Sequence, residues 1–464
     1  MTMWMPDLAE HHGPKYLAIA DALAEAITSG TLPAGSKLPA QRNLAYDIGV
    51  TLGTVTRAYR EAERRGLVGG EVGRGTYVNG EKRRRGDGFI EFEAKTPPGV
   101  LDLTHATLPH AEAGRAMAKT LAELSQLSDL SPLADYQLNT GMARHLDAGA
   151  KWVAGRGVTT SADNIAISGG VQHGTLAAMM ALVPSGETIF VEELTYPGVI
   201  RLAQHMGLRV ETVAMDDQGF LPDALDTACR RTTAKLIYCM PSVHNPTTAT
   251  MSIERRQAIA EVARRHHLHI IEDDVWAAVG AHHPPPLASF APERTFFLSG
   301  PSKCMAGGLR IGFIHCPDGQ VDRVRSAVRV SSWTAPPLMA EITTRWLNDG
   351  TGTELTKVIR REIETRVAIA RAHFANHSLR SDPSVSFVWL ELPSPWRASD
   401  FQAEAEARGI RVLTAETFTP GRDAAPHAVR ISVGGNHSRA EIERAMAELA
   451  DILSGPPGAA SSVI

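Results

Sequence analysis

A lysine and an arginine lie seven residues apart in the segment SGPSKCMAGGLRIGF (299–313). The Lys303 amine can form a Schiff base with an aldehyde, and the planar, permanently charged guanidinium of Arg310 can bind a phosphate. Ser302 places a hydroxyl beside the lysine. These residue types suit a ligand that carries both an aldehyde and a phosphate. The alternative is a surface lysine and an arginine at the end of a strand.

A second segment, SGGVQHG (168–174), offers a place for a phosphate. It follows the predicted strand NIAIS and opens a predicted helix, and its small residues let backbone N–H groups and a helix N-terminus surround an anion. The candidate residues are Gly170, Val171 and Gln172. Taken alone, this segment is better explained as an ordinary strand-to-helix turn.

The elements that would position these groups follow a regular order. Between about residues 164 and 315, helical segments alternate with short apolar strands: NIAIS, TIFVE, LRVETVA, KLIYCM, LHIIED, TFFLSG and LRIGFIHC. This alternation predicts an α/β fold with a doubly wound, mainly parallel sheet. Residues 353–378 predict one long helix, which leads to a small C-terminal α+β domain.

The N-terminal part has a different pattern. Helical spacing runs over residues 15–29 and 38–48, with Pro39 at a plausible first helical position, and a third helix is predicted over 51–67 after a turn at Gly49. Two short helices about such a turn indicate a helix-turn-helix. Beta-forming residues on either side of Gly73-Arg74-Gly75 then predict a hairpin that could serve as a wing.

This stretch, from YLAIADALAEAI to GRGTYV, resembles the DNA-binding domain of the GntR family along its whole length. The resemblance implies that the second helix of the motif enters the major groove, with the arginines on the phosphates or in the minor groove. The residues expected to contact DNA are Arg42, Thr51, Thr54, Thr56, Arg57 and Arg74. Leu52 stands where the family usually has a basic residue. The alternative is a helical protein-interaction domain with solvated arginines.

The body resembles fold-type I aminotransferases, which use pyridoxal 5'-phosphate. The resemblance implies that Lys303 carries the cofactor as a Schiff base, and that Arg310 and the 168–174 loop bind its phosphate. TYPG (195–198), MPSVHNPTTATMS (240–252) and IIEDDVWAAV (271–280) match segments that hold the ring. The implied ring contacts are stacking by Tyr196, a hydrogen bond from Asn245 to the phenolic oxygen and pairing of Asp273 with the pyridine nitrogen.

Two further motifs extend the resemblance. AVRISVGG (428–435) is similar to the strand whose arginine binds an amino acid's α-carboxylate, so Arg430 is the expected anchor. ADYQLNTGMARHL (134–146) is similar to the stretch whose tyrosine reaches the neighbouring subunit's phosphate, and Tyr136 is that residue. The sequence also departs from the family pattern at Thr248, where glycine is usual, at Gly300, where serine or threonine is common, and at Val275-Trp276, where a tyrosine is expected.

Head and body together resemble the MocR subfamily of GntR regulators over roughly residues 12–450. This resemblance implies a DNA-binding transcriptional regulator that senses an amino acid or amine effector through a Schiff base exchanged at Lys303. The implied partners are double-stranded operator DNA, the effector and a second copy in a head-to-tail homodimer. The alternatives are an active class I/II aminotransferase that carries a DNA-binding head, which the Trp276 departure disfavours, and a DNA-binding protein whose body has lost its cofactor. Physiological turnover is not expected.

The predicted domains are a winged helix-turn-helix (12–79), a linker (80–95), an aminotransferase-like domain (96–455, with 355–455 as its small subdomain) and a disordered tail (456–464). Residues 1–87 hold 12 basic and 10 acidic residues, against 35 and 41 in the remainder, which weakly favours a nucleic-acid contact for the head.

The composition excludes several other classes of protein. Among 464 residues, 43% are hydrophobic and 21% charged, as in an ordinary globular protein, and no apolar stretch is long enough to span a membrane. The N-terminus lacks the apolar region of a secretory signal, and the four cysteines share no CxxC spacing. These features predict a cytoplasmic protein with no membrane partner. The histidines of RRHHLH (264–269) and AHHPP (281–285) form no recognisable ligand set, so no metal is expected.

Overall fold

The computed structural model describes residues 4–6, 14–29, 31–33, 36–64, 67–71, 75–78, 99–109, 111–137, 141–280, 283–420 and 425–457. Its contacts divide the chain into two compact units, Met1–Glu91 and Phe92–Ile464, called here the head and the body. The predicted linker, the wing tip at Arg74 and residues 458–464 of the predicted tail lie outside the described residues.

The head consists of three helices and a hairpin: α1 (Lys15–Thr28), α2 (Gln41–Asp47), α3 (Leu52–Arg64), β1 (Val68–Glu71) and β2 (Gly75–Val78). β1 and β2 pair antiparallel, as a wing requires. The prediction that Pro39 opens the second helix is wrong, because Ala40 is the N-cap of α2. The Pro39 carbonyl instead accepts a hydrogen bond from the Tyr59 hydroxyl of α3 at 2.8 Å, which ties the chain before α2 to that helix.

The body is built from strands and helices in regular alternation. In chain order its strands are β3 (Leu101–Asp102), β4 (Ile165–Ser168), β5 (Thr188–Glu192), β6 (Arg209–Val213), β7 (Met215–Asp216), β8 (Gly219–Phe220), β9 (Ala234–Cys239), β10 (His269–Asp273), β11 (Thr295–Ser299), β12 (Gly312–His315), β13 (Ser378–Ser381), β14 (Phe387–Glu391), β15 (Ile410–Arg411), β16 (Leu413–Thr414) and β17 (Ala428–Ser432). Its α-helices are α4 (Ala111–Leu124), α5 (Ser131–Ala134), α6 (Ala143–Ala154), α7 (Val171–Leu182), α8 (Pro197–His205), α9 (Pro222–Arg231), α10 (Ile253–Arg265), α11 (Leu287–Phe290), α12 (Val321–Ser332), α13 (Pro337–Asn348), α14 (Thr351–His373), α15 (Ala398–Ala407) and α16 (Arg439–Ser454).

Seven of these strands form the large sheet, in the order β4-β12-β11-β10-β9-β5-β6. Its pairings are parallel from β11 to β6, and β12 runs antiparallel to both of its neighbours. The predicted doubly wound, mainly parallel sheet is therefore confirmed. Strands β4, β5, β11 and β12 are buried along their whole length, which explains why they read as continuous apolar runs. In such sheets ligands bind beyond the carboxyl ends of the strands.

A smaller antiparallel sheet, β13-β14-β17-β16, forms the C-terminal subdomain together with α15 and α16. The long helix predicted over 353–378 runs from Thr351 to His373, so the prediction placed its end too late. The sequence after Phe374 forms β13 instead, beginning at Ser378 and pairing with β14.

Residues 99–109, called here the strap, connect the start of the body to this subdomain. β3 pairs with β15 in parallel register, and the Leu103 N–H donates to the Arg411 carbonyl at 3.0 Å. Further along, the Ser432 N–H donates to the Leu103 carbonyl at 2.8 Å. The strap thus lies against two strands of the body. Among the residues described here, no helix is long and apolar enough to cross a membrane.

Candidate functional site

Lys303 lies in a single 3-10 turn, Pro301–Lys303, that follows β11. Its Nζ donates a hydrogen bond to the Ala106 carbonyl of the strap at 2.7 Å and lies 4.8 Å from the centroid of the Trp276 ring. Burial and the nearby positive charge of Arg430 lower the pKa of Lys303 to about 8. The amine therefore has a larger neutral, nucleophilic fraction near neutral pH than an ordinary lysine.

Asp273 lies at the carboxyl end of β10, where two donors hold its carboxylate. The Tyr238 hydroxyl donates to Oδ2 at 2.8 Å, and the Val275 N–H donates to Oδ1 at 3.2 Å. Burial raises the pKa of Asp273 to about 6, although these hydrogen bonds favour the ionised form. Asp273 thus presents an oriented carboxylate that is ionised above about pH 6 and can pair with a cationic ring nitrogen.

Gly170 and Arg310 form a small concave surface at the start of α7. Gly170 is the N-cap of this helix, with φ 94°, and Val171 and Gln172 are its first two residues. The Arg310 Nη2 donates to the Gly169 carbonyl at 3.1 Å, and a Cβ on Gly170 would lie 2.6 Å from that nitrogen. The positive φ of Gly170 favours glycine, and the N-terminus of α7 lies beside the Arg310 guanidinium, so the site fits a phosphate.

The Gly300 departure has a steric explanation. A Cβ at this position would lie 2.6 Å from the Ile311 carbonyl oxygen, so serine or threonine would force the backbone apart. Gly312 is equally constrained, since its Cβ would lie 2.7 Å from the Gly170 carbonyl carbon. The Ser302 side chain is half-buried in the same turn as Lys303. The lysine turn and the phosphate surface are therefore packed backbone against backbone.

Tyr196 and Trp276 supply aromatic surface to the site. The Tyr196 hydroxyl donates to the Gln172 Oε1 at 3.1 Å, and burial raises the pKa of Tyr196 to about 12. The Trp276 ring packs edge-on against Phe387 at 5.3 Å and takes the place of the expected tyrosine. Its indole thus presents an aromatic face to Lys303, where a tyrosine would present a hydroxyl. Thr248 adopts φ 59°, the left-handed conformation that glycine usually supplies.

Arg430 of β17 is 2% exposed and lies between the subdomains. Its Nη1 donates to the Asn245 Oδ1 at 2.8 Å and its Nη2 to the Thr104 carbonyl of the strap at 2.5 Å, whereas its buried Nε has no hydrogen-bond partner. Its hydrogen-bond partners among the described residues are the neutral Asn245 amide and Thr104 carbonyl, and burial lowers the pKa of Arg430 to about 10. A buried cation without an anion suits an incoming carboxylate.

Tyr136 is 71% exposed on the body surface, where its ring packs edge-on against Trp333 at 5.9 Å. The structure therefore brings Lys303 and Arg430 together on the strap, with Asn245 bonded to Arg430 and Asp273 held at the end of the neighbouring strand β10. It places Tyr136 on the outside, where a second chain could reach it.

Sequence reasoning missed several contributors to the site. Tyr238 could have been identified from the sequence, because a tyrosine hydroxyl in a buried strand requires a hydrogen-bond partner. The strap carbonyls of Thr104 and Ala106 gave none, since every residue carries a carbonyl. The rings of Phe387 and Phe418, 5.4 Å and 4.9 Å from the Arg430 guanidinium, were equally hidden.

In the head, Thr51 is the residue before α3 and its hydroxyl bonds the Thr54 hydroxyl at 2.9 Å. The Thr56 hydroxyl donates to the Gln41 Oε1 at 2.9 Å and so holds α2 against α3. The Arg57 guanidinium lies 4.3 Å from the centroid of the Tyr16 ring. Thr56 is thus partly committed to internal contacts.

The surface of α2 and α3 carries other exposed groups. Arg42 is exposed on α2, and Leu52, the first residue of α3, is 43% exposed. Tyr46 on α2 is 88% exposed, a candidate that sequence reasoning missed. This surface combines a cation with large exposed side chains, as nucleic-acid contacts do.

Each of the two units matches a known protein family. Residues 15–78 match the bacterial regulatory proteins of the gntR family, and residues 98–449 match aminotransferase class I and II. The fold agrees with solved structures. An archaeal alanine:glyoxylate aminotransferase superposes with a TM-score of 0.69 at 22% identity, covering 76% of this chain and 91% of that one.

Relatives with both units also exist. The Bacillus subtilis HTH-type transcriptional regulator YdeF is 28% identical over 450 residues, covering 97% of this chain and 96% of its own. The vitamin B6 salvage pathway transcriptional repressor PtsJ of Salmonella typhimurium is 24% identical, covering 89% and 93%. The chain therefore belongs to the aminotransferase class I and II family and carries an N-terminal helix-turn-helix domain of the gntR family, the arrangement of the MocR-like regulators.

Proposed function

We propose that the protein is a transcriptional regulator that binds operator DNA through its head and a small amino acid or amine through its body. One observation carries the second half of this proposal. Arg430 is a buried guanidinium with no anionic partner among the described residues, and it shares the strap with the nucleophilic Lys303. This arrangement supports recognition of a molecule that bears a carboxylate.

Pyridoxal 5'-phosphate is the cofactor that these residues fit. The surface between Gly170 and Arg310 would hold its phosphate, with Val171, Gln172 and Ser302 beside it. When bound, the cofactor supplies an aldehyde and an electron-withdrawing ring. The chain would orient it through the Asp273 carboxylate, the Tyr196 ring and the Asn245 amide, and Lys303 would provide the amine.

The strap offers a route from ligand to DNA. Arg430 and Lys303 both donate to strap carbonyls, those of Thr104 and Ala106. A ligand carboxylate that pairs with Arg430 would compete with these acceptors, and so would any group that engages Lys303. The strap follows, in sequence, the segment that leads from the head. Release of the strap from Arg430 and Lys303 would therefore couple ligand binding to the head. Such coupling requires that the ligand favour one state of the strap over the other.

An aminotransferase is the second candidate, favoured by the pKa of Lys303 near 8 and the oriented Asp273. Trp276 disfavours it, because an indole face cannot supply the hydroxyl that the family's tyrosine provides at that position. We therefore infer that ligand binding, rather than turnover, is the physiological role.

We infer that the body forms a head-to-tail homodimer, in which Tyr136 would reach the partner's phosphate site. Large hydrophobic side chains are exposed on α4, α12 and α13 and in the segments around α5. These are Leu121, Leu127, Leu130, Tyr136, Val330, Trp333 and Leu338. Contiguous exposed apolar surface marks a protein interface, and the Tyr136 and Trp333 rings are in contact.

The proposal is tested by selecting double-stranded DNA from a random library with the full-length, cofactor-loaded protein. We expect one enriched sequence motif. Neutralising two cations in Arg42→Gln/Arg57→Gln should weaken binding at least tenfold and reduce the salt dependence by about two counterions. Lys119→Gln, a neutralisation on the exposed face of α4, is the matched control.

The same DNA then reports the ligand. One member of a panel of amino acids should change DNA affinity several-fold, and Arg430→Gln should abolish that response while leaving ligand-free affinity intact. The absence of any enriched motif, or an unchanged affinity of the double variant, would overturn the DNA half. Formation of a keto-acid product at a rate typical of enzymes would instead support the aminotransferase.

A further inference from the structure

A separate cavity lies beside the Lys303 turn, and none of Lys303, Asp273, Asn245 and Arg430 lines it. Its volume is about 490 Å³, and its walls come from α6, the turn after Trp276, Met305 and the adjoining ends of α13 and α14. None of the exposed hydrophobic residues assigned to the dimer lines it. The cavity is large enough for a small organic molecule.

The charged side chains that line this cavity are all cationic. Its described lining residues include Lys151, Arg156, Lys357 and Arg360 but no aspartate or glutamate. Two of these cations have acidic partners just outside it: Arg156 pairs with Asp274 at 2.7 Å and Lys357 with Glu354 at 2.8 Å. The charge that remains is positive, so the cavity favours an anion.

The rest of the lining is apolar and aromatic. The half-buried Trp152 ring and the Met305 side chain contribute, with Ala148, Ala277, Ala278 and Leu347. Trp152 is held in place because its Nε1 donates to the Ser299 Oγ at 3.0 Å. A fixed indole and a small apolar wall suit a planar, uncharged body attached to the anionic group.

We propose that this cavity binds a small phosphomonoester with an apolar or aromatic body. Several cations favour the double charge of a phosphomonoester over the single charge of a carboxylate. The guanidinium of Arg360 is positioned by its Nε, which donates to the Val279 carbonyl at 2.6 Å, so two further nitrogens remain for a ligand.

The cavity also touches the element that carries Lys303. Met305 lines it two residues after the lysine, and the Thr356 hydroxyl of its wall donates to the Cys304 carbonyl at 3.2 Å. The Ala277-Ala278 wall follows directly after Trp276. An occupied cavity therefore borders both the turn that bears the lysine and the residue whose ring faces its amine.

The test is calorimetric titration of the cofactor-loaded, full-length protein with phenyl phosphate, benzoate and inorganic phosphate. We expect phenyl phosphate to bind at least tenfold more tightly than either of the others. Lys151→Gln/Lys357→Gln, two exposed substitutions compatible with folding, should weaken phenyl phosphate at least tenfold. The matched control Lys119→Gln/Arg361→Gln should change it less than twofold, since neither residue lines the cavity.

Three outcomes would overturn the proposal. One is phenyl phosphate affinity that is undetectable at millimolar concentration or is the same in both double variants. A second is loss of binding in Arg310→Gln but not in Lys151→Gln/Lys357→Gln, which would locate the phosphate beside Gly170. The third is tighter binding of benzoate, which would mean that the cavity selects carboxylates instead.

Discussion

A half-buried lysine and a buried arginine both bond to the strap, and the arginine changes the chemistry of the lysine. Lys303 and Arg430 donate to carbonyls two residues apart, and the positive charge of Arg430 adds to burial in lowering the pKa of Lys303. A carboxylate bound to Arg430 would oppose this effect by neutralising the guanidinium. The reactivity of the lysine is therefore tied to the occupancy of the arginine.

The pH dependence of Lys303 labelling tests this link. In cofactor-free protein, acetylation by trace acetic anhydride should rise with pH and level off with a midpoint near 8, well below that of an ordinary lysine. Arg430→Gln should move the midpoint upward, because a positive charge is lost. Arg361→Gln, an exposed arginine of α14, is the control. Peptide mass spectrometry quantifies the reaction, and an Arg430→Gln midpoint at or below that of the parent would contradict the link.

The sequence identifies the reactive groups of the site more readily than it predicts their surroundings. Lys303, Asp273 and Arg430 could be predicted from the sequence because each belongs to a motif of characteristic residue order. The contacts of Lys303 and Arg430 could not, since both donate to strap carbonyls that are far from them in sequence. Gly300 appeared to be a lost phosphate contact, and only the 2.6 Å approach to Ile311 explains it.

At the scale of elements, α6 and α13 are joined by one carboxylate. Glu341 of α13 is 8% exposed and accepts hydrogen bonds from Arg144 at 2.7 Å and Arg345 at 3.0 Å, and His145 lies 3.0 Å away. Burial would raise the pKa of Glu341, but the hydrogen bonds from His145 and the arginines lower it to about 2. The cluster thus stabilises the contact between the two helices.

Glu341→Gln should lower the free energy of unfolding at neutral pH by about 2–3 kcal/mol. Because the folded pKa lies below the ordinary value of 4.5, the unfolded chain binds more protons between about pH 2 and 4.5. The parent's advantage should therefore be complete above pH 4.5 and shrink as the pH falls toward 2. Urea unfolding of the full chain at several pH values measures it. Glu354→Gln, at an exposed pair, is the control, and a pH-independent difference would show that packing, not charge, is responsible.

Element order was predictable wherever periodicity and length agreed. The seven strands of the large sheet were identified as short apolar segments bounded by turns, although β6 is partly exposed and β12 runs antiparallel to its neighbours. The end of α14 was placed too late, because helical spacing alone does not show where tertiary pairing, here β13 with β14, begins. α2 was extended too far toward its N-terminus for a similar reason, since the Tyr59 hydrogen bond to Pro39 is a tertiary contact.

For the whole molecule, the proposed dimer makes a quantitative prediction. The double variant Tyr136→Ser/Trp333→Asn should raise the dimer dissociation constant at least tenfold, because it removes two large exposed rings from the shared surface. Asparagine is chosen since residue 333 has φ 67°, which it tolerates. Sedimentation equilibrium measures the constant. Tyr46→Ser in the head is the control, and equal dissociation constants for the double variant and the parent would exclude this surface as the interface.

The strap also sets the length of chain between body and head. While its backbone remains hydrogen-bonded along β15 and β17, the body holds the chain from residue 101 onward. Detaching residues 101–107 would add up to about 23 Å of contour, at roughly 3.3 Å per residue. Recognition helices of paired heads must reach half-sites about 34 Å apart, or a multiple of that distance. In the proposed dimer, ligand binding in the body would then change the operator spacings that the two heads can span. It would do so by changing the length of chain between head and body rather than the affinity of either head.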